Sequence, residues 1–272
     1  MNRGLEGHYF DLLRQIHATL RPRTYVEIGV HTGRSLELAV PETQIVGIDP
    51  VPAVWSRINE TAKLFFETSD AFFAQRDLRS LLGGRDVDMA FIDGMHLFEY
   101  VLRDFRHIEA HCSRDSLVLV HDCFPLSADA ADRERGGDTW TGDTWKLVPC
   151  LREMRPDLEI VTVAVRPSGL TLIRNLDPTN RVLFDGYDEA LARFGKLDFA
   201  VIEGRQEEAL NVIPNDWDTV AQHLPPGPLT TAGSTPAVRR RRPLYWPVVR
   251  HQAVRRTKIA GRKLLDVARV RA

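Results

Sequence analysis

The sequence is poor in cysteine and lysine and has no long hydrophobic run, and each shortage excludes something. Cys112, Cys123 and Cys150 are the only three cysteines in 272 residues. Their odd number and unpaired spacing fit neither a zinc site nor a disulfide framework, so free thiols in a reducing cytoplasm are expected. No apolar window approaches the roughly eighteen residues of a spanning helix. No N-terminal stretch joins a basic flank to an apolar run, so a cytoplasmic protein is expected. Five lysines stand against 31 arginines, a skew that folding does not require and that says nothing of chemistry.

What is present is enough for one substantial α/β core with length to spare, since 43% of the side chains are apolar. The net charge of −1 hides an asymmetry. Residues 238–272 hold twelve Lys/Arg against the single acid Asp266, which leaves about −12 for the remainder. Within that tail Leu244, Tyr245, Trp246, Ile259 and Leu264 interleave with arginines, a pattern suited to peripheral membrane contact. A solvated or self-docking arm is the plainer expectation, and no recognised nucleic-acid motif accompanies the charge. Leu224–Pro236 is rich in Pro, Gly and Thr and reads as a linker. The expected organisation is a catalytic domain over 1–222 with its core at 20–175, a linker at 223–237 and a basic tail at 238–272.

Apolar positions at helical spacing over residues 4–20 predict an amphipathic opening helix, stopped by Arg21-Pro22. Strand-like runs then follow at Tyr25–Ile28, Gln44–Ile48, Leu64–Glu67, Val87–Ile92 and Ser116–Val120. Helical candidates separate them at 34–40, 52–62, 70–82 and 97–111. Such alternation predicts a doubly wound parallel sheet with right-handed crossovers. The polar segment 123–142 reads as a lid or irregular connection. A helix at 144–154 and strands at 158–164 and 169–174 would close a seven-stranded, mostly parallel sheet with an antiparallel hairpin.

Chemistry-bearing residues fall at strand ends. The run Val26-Glu27-Ile28-Gly29-Val30-His31-Thr32-Gly33-Arg34-Ser35 is a strand followed by a glycine turn on which a small ligand can lie. The third glycine of a pyrophosphate-binding fingerprint is missing, and Glu27 favours a ligand bearing an ammonium or sulfonium group. Asp49, at the end of the second strand, is placed to accept both hydroxyls of a ribose. Ser69 and Asp70, after the third strand, are candidates for an adenine amino group, although Asp70 also suits a helix N-cap.

These motifs, with Asp88-Met89-Ala90-Phe91-Ile92-Asp93-Gly94-Met95-His96, resemble the class I S-adenosylmethionine-dependent methyltransferases over most of residues 20–175. Within that class the chain is similar to the small O-methyltransferases that include macrolide and aminocoumarin sugar O-methyltransferases. The resemblance implies a Rossmann-like methyltransferase fold, with S-adenosylmethionine held by Glu27, Gly29, Gly33, Ser35, Asp49, Ser69, Asp70 and Asp93. It further implies a divalent metal bound by the D-G-x-H motif and by His121-Asp122, where many members carry a carboxylate at the position of His121. The segment Trp140-Thr141-Gly142-Asp143-Thr144-Trp145-Lys146 resembles that branch's substrate side, which makes Trp140, Trp145 and Lys146 candidate acceptor contacts.

The residues alone support the same site. Asp93 and His121-Asp122 end adjacent apolar strands and project into one crevice, a plausible octahedral Mg²⁺ or Mn²⁺ site. His96, three residues past Asp93, is the candidate general base, because an ordinary imidazole titrates near neutral pH. The expected function is methyl transfer to a hydroxyl of a small molecule or sugar, by a homo-oligomer. The alternatives are an NAD-dependent oxidoreductase, disfavoured by the glycine spacing and the lack of a Tyr-x-x-x-Lys pair, and a non-catalytic membrane or partner-binding protein on the same fold.

Overall fold

A computed structural model describes residues 5–54, 58–136, 139–227 and 229. The basic tail and most of the Pro/Gly-rich linker lie outside the described residues. All described residues fall within the compact unit 1–232. Among them, no helix is long and apolar enough to cross a membrane.

The chain runs β1 (Glu6–His8), α1 (Tyr9–Leu20), β2 (Thr24–Ile28), β3 (Gln44–Ile48), β4 (Lys63–Phe65), α2 (Ser69–Gln75), α3 (Leu78–Leu81), β5 (Val87–Ile92), α4 (Phe98–Glu109) and β6 (Cys112–His121). After them come α5 (Leu147–Met154), β7 (Glu159–Arg166), β8 (Leu170–Arg174), α6 (Val182–Asp185), α7 (Tyr187–Phe194), α8 (Gln206–Ala209), β9 (Val212–Pro214) and α9 (Trp217–Ala221). The sheet order is β4-β3-β2-β5-β6-β8-β7, with β1 and β9 both on β7. Strands β2 to β6 pair in parallel, while β8 runs antiparallel to both β6 and β7. The expected doubly wound sheet with its closing hairpin is therefore present.

The difference is in the strand count. Among the described residues the sheet has nine strands, because the outer edge of β7 is paired by two short segments, β1 and β9. An unpaired edge would leave a row of bare N–H and C=O groups, and these segments cover it.

Strands β2, β5 and most of β6 are buried on both faces, as parallel strands covered by helices must be. Alternation along each strand divides the core in two. Tyr25, Ile45, Met89, Phe91, Leu117 and Leu119 pack with Leu12, Leu13, Ile16 and Leu20 of α1. Val26, Ile28, Val46, Ala90, Ile92 and Val118 pack with Phe98, Val101, Leu102 and Phe105 of α4 and with α5.

Helical expectations fare unevenly. The stretch 34–40 forms only a single 3₁₀ turn, Leu36–Leu38, and the described residues of 52–62 carry no helix. The stretch 70–82 breaks after Arg76, because the Asp77 carboxylate accepts the Ser80 N–H and starts α3 afresh. The opening helix begins at Tyr9, since Glu6–His8 are drawn into the sheet edge instead. Residues 175–222 fold onto the same body, with Ala190 and Phe194 in the core.

Candidate functional site

The β2 strand is flanked by β3 on one side and β5 on the other, so the chain reverses its direction of progress across the sheet there. Such a switch opens a crevice at the carboxyl ends of the strands. A cavity of about 790 Å³ lies at that place. Its wall includes Gly29, His31, Asp49, Ser69, Asp70, Asp93, His96, Asp104, His121, Asp122 and Trp140.

Backbone approach decides the turn after β2. Gly29 has φ of 89°, and a Cβ there would lie 2.1 Å from the Asp93 carbonyl oxygen. Only glycine fits where the β2 and β5 ends meet so closely. Asp49 is held from both sides, its Oδ2 accepting the His31 N–H at 2.8 Å and its Oδ1 the Val51 N–H at 2.8 Å. That fixes a carboxylate at the rim, with lone pairs left for a diol.

Three of the residues expected to hold the cofactor lie beneath the cavity and do not line it. Glu27 is fully buried, and its carboxyl accepts hydrogen bonds from Tyr25 at 2.7 Å and Ser35 at 2.6 Å. Burial pushes its pKa up to about 8, against the pull of those two bonds. Glu27 and Ser35 thus brace the turn from inside, and the buried Gly33 supplies a positive φ of 79° against the side chain of Val54. Asp70 lines the cavity but is not the N-cap of α2. Thr68 caps that helix, accepting the Ala71 N–H, while both Asp70 carboxylate oxygens accept from the Arg103 guanidinium, at 2.9 and 2.8 Å.

The D-G-x-H motif and the end of β6 do come together. His96 Nε2 lies 3.3 Å from Asp93 Oδ1 and its Nδ1 lies 3.0 Å from Asp122 Oδ2. His121 Nδ1 lies 3.3 Å from Asp93 Oδ1 and 3.3 Å from Asp122 Oδ1. Two carboxylates and two imidazoles therefore share one pocket. Burial works against charge on His121, yet Asp122 and Asp93 outweigh it and push its pKa up to about 10. Asp93 goes the other way: burial would raise it, but the facing His121 and His96 hold it well below the usual carboxylate range. His96 is itself raised, since the two carboxylates overcome its burial.

Backbone strain sits at the same point. His96 and Asp122 have φ of 57° and 61°, in the left-handed region that ordinary residues avoid and that gathers at functional sites. The turn at His96 is clamped by the next segment. The Asp143 N–H donates to the His96 carbonyl at 3.1 Å. Asp143 Oδ1 accepts the Phe98 N–H at 2.7 Å, serving as the cap that Leu97 cannot provide for α4.

Lys146 belongs to this clamp and Trp145 to the core, and neither lines the cavity, which corrects the expectation of acceptor contacts for both. Lys146 Nζ is buried between Asp143 Oδ2 at 2.9 Å and the Gly195 carbonyl at 2.9 Å. Trp145 is 1% exposed within the core. Trp140 does line the cavity, stacked on His96 at 5.2 Å between ring centres. The expected lid over 123–142 is in part anchored, with Cys123, Phe124, Ala130 and Thr141 buried.

Two groups at the site were not singled out from sequence. The Tyr9 ring lies tilted against His121, with 4.1 Å between ring centres. Asp104 enters the cavity wall from α4, and an acid on that helix's apolar stripe was the signal that could have found it.

Residues 26–123 match the family model described as a methyltransferase domain, and they span the strands that build this cavity. Over this stretch the chain is similar to a methyltransferase domain. No curated protein sequence matches it. Among solved structures, the chain is similar to the O-methyltransferase TomG from Streptomyces achromogenes, involved in tomaymycin synthesis and in complex with SAM. The identity is 17%, over 62% of this chain and 80% of that one, with a TM-score of 0.44. It is also similar to an O-methyltransferase from Bacillus cereus in complex with SAH, at 13% identity over 61% of this chain and 78% of that one, with a TM-score of 0.41.

Proposed function

We propose that this chain moves the methyl group of S-adenosylmethionine to a hydroxyl oxygen of a small molecule, a sugar hydroxyl being the preferred acceptor class, with a divalent cation assisting. The observation that carries the reading is the cluster of Asp93, His96, His121 and Asp122 beside the rim that holds Asp49. A hydroxyl is a weak nucleophile at neutral pH, and transfer to it needs a site that removes its proton.

The donor set suits Mg²⁺ or Mn²⁺. Asp93, His96 and Asp122 each offer a ligand atom within 4.8 Å of the others. The buried ring nitrogens His96 Nδ1 and His121 Nδ1 and Nε2 make no aligned hydrogen bond, although carboxylate oxygens lie close by. Unaligned donors and acceptors crowded together suit a shared cation better than one another. When bound, the cation would lower the pKa of a hydroxyl that reaches it.

His96 completes the three-residue set, and His121 Nδ1 also lies 3.3 Å from an oxygen of each aspartate. We assign His121, on the cavity floor with a side chain 6% exposed, to the cation, and His96, 22% exposed at the opening, to the acceptor's proton. The open position meets an incoming hydroxyl, and Trp140 steadies the ring from one side. Asp93, 3.3 Å from His96 Nε2, orients the ring, and Nδ1, which makes no aligned hydrogen bond, is the nitrogen left to take the proton. Asp49 would accept the ribose hydroxyls, and Glu27 acts from below by keeping the turn in shape.

Transfer of labelled methyl from S-adenosylmethionine to a panel of glycosides and phenols, with Mg²⁺ and then with chelator, tests the reading. Chelator-sensitive labelling of a hydroxyl is expected. Labelling of amines alone, or no dependence on the cation, would refute it. The two histidines separate by titrating Mg²⁺ into variants. His121→Ala should lose cation binding and His96→Ala should keep it while losing turnover.

A further inference from the structure

Arg135 is the only arginine or lysine among the described residues that line the cavity. The other ionisable side chains of that wall are aspartates, histidines and one tyrosine. Among the described residues no carboxylate pairs with its guanidinium, which lies over the Trp140 ring, 5.8 Å from the ring centre. Arg133, two residues earlier, is by contrast held by Glu99 at 2.6 Å and by Asp143 at 2.6 Å. The Thr139 hydroxyl, exposed in the same wall, has no hydrogen-bond partner among the described residues either.

The ring that carries Arg135 is pinned. Trp140 Nε1 donates to the Asp132 carbonyl at 2.6 Å, and the Thr141 N–H and hydroxyl both donate to the Ala130 carbonyl, at 2.9 and 2.8 Å. Trp140 in turn stacks on His96, the proposed base, at 5.2 Å between ring centres. Cation and base are therefore separated by no more than these two ring contacts, a span that a single sugar ring with its substituents can bridge.

We propose that Arg135, with Thr139 beside it, binds an anionic group of the acceptor, a carboxylate or a phosphate, while His96 meets the hydroxyl, so that the site takes an acidic sugar in preference to a neutral one. The inference rests on the methyl-transfer reading. A guanidinium presents a planar fork of donors that matches either oxyanion with two bonds. The aspartates of the wall would repel an anionic ligand, and a cation among them offsets that repulsion, which a neutral ligand would not need. The carboxylate of the cofactor's methionine part is the other anion to consider. Arg135 is assigned to the acceptor because Trp140, on which it rests, stacks on the base.

The test is calorimetric titration of D-glucose, D-glucuronate and D-glucose 6-phosphate into the wild-type chain, Arg135→Gln and Arg135→Lys, each loaded with S-adenosylhomocysteine and Mg²⁺. The wild type should bind at least one of the two anions about tenfold more tightly than glucose, and which one binds tells carboxylate from phosphate. Arg135→Gln should lose that preference while its affinity for S-adenosylhomocysteine stays within about twofold of wild type. Arg135→Lys should keep part of it, as a cation without the fork. Arg135 is exposed, and its replacement leaves no buried charge behind, so the variants should fold.

Equal wild-type binding of the three sugars, or binding of none of them, would overturn the proposal, as would an anion preference that survives in Arg135→Gln. A fall in S-adenosylhomocysteine affinity in that variant would put Arg135 on the cofactor's own carboxylate and overturn it too. A wild-type chain that takes up no S-adenosylhomocysteine defeats the cofactor reading, and the inference with it, whereas uptake without anion preference defeats the inference alone.

Discussion

Gly142 lies outside the acid and imidazole cluster, yet its replacement by alanine should cost both stability and turnover. Its φ is 59°, and a Cβ would lie 1.9 Å from the His96 carbonyl oxygen and 3.1 Å from the His96 Cβ. The first contact is with backbone, so no rotamer relieves it. The left-handed conformation costs an alanine about 1 kcal/mol, and forcing the two backbones apart adds about 1–3 kcal/mol. A loss of about 2–4 kcal/mol should lower Tm by roughly 5–15 °C for a domain of this size.

The displaced backbone carries the proposed base, so kcat should fall by about a hundredfold, the cost of misplacing a reacting group by an ångström or so. S-adenosylhomocysteine affinity should hold, because Gly142 does not line the cavity. Gly84→Ala is the matched control, with φ of 81° and nothing within 4 Å of its Cβ. It should show only the conformational cost, about 1 kcal/mol, and full activity. A Gly142→Ala enzyme with wild-type kcat, or one no less stable than Gly84→Ala, would refute the reasoning.

The wild-type chain should show a Mg²⁺-dependent rise in Tm that chelator reverses, and Asp93→Asn and Asp122→Asn should each abolish it, because each removes a carboxylate ligand. Arg155→Met should cost about 3–5 kcal/mol in urea unfolding without changing nucleoside affinity, since Glu109, paired with Arg155 at 2.6 Å and itself buried, would be left without its cation. His17 should make the fold acid-sensitive. Its ring is buried with neither nitrogen partnered, and burial lowers its pKa to about 3. The unfolded chain therefore takes up a proton below about pH 6.5 that the folded chain refuses, and stability falls as pH drops from there toward about 3. Between pH 6.5 and 5 that amounts to about 2 kcal/mol, which His17→Leu should remove from urea midpoints measured at the two pH values. An equal acid loss in the variant would show that other groups carry it.

Much of the fold was legible because parallel strands buried on both faces announce themselves as apolar runs. Tyr25–Ile28, Val87–Ile92 and Leu117–Val120 need no partner to be recognised. The residues that end those strands, Asp49, Asp93, His121 and Asp122, were legible for the same reason: a polar side chain after an apolar run lies at the sheet edge. What sequence could not resolve was depth. Glu27 and Asp49 both read as carboxylates at the crevice, yet one is sealed below the turn and the other stands at its rim. Trp140 and Trp145 are five residues apart in one motif, and only packing separates a ring in the cavity wall from one in the core. The short strands β1 and β9 were missed because three residues carry too little periodicity, and their pairing depends on the edge of β7, far away in sequence.

The measurement that tests the central claim most directly is calorimetric titration of S-adenosylmethionine and of S-adenosylhomocysteine into the purified chain and into Asp49→Ala, with Mg²⁺ and then with chelator. Saturable binding of both by the wild-type chain, lost or weakened at least about tenfold when the Asp49 carboxylate is removed, is the expected result. Absence of binding under every condition, or binding that ignores Asp49, would contradict the placement of the nucleoside at the carboxyl edge of this sheet.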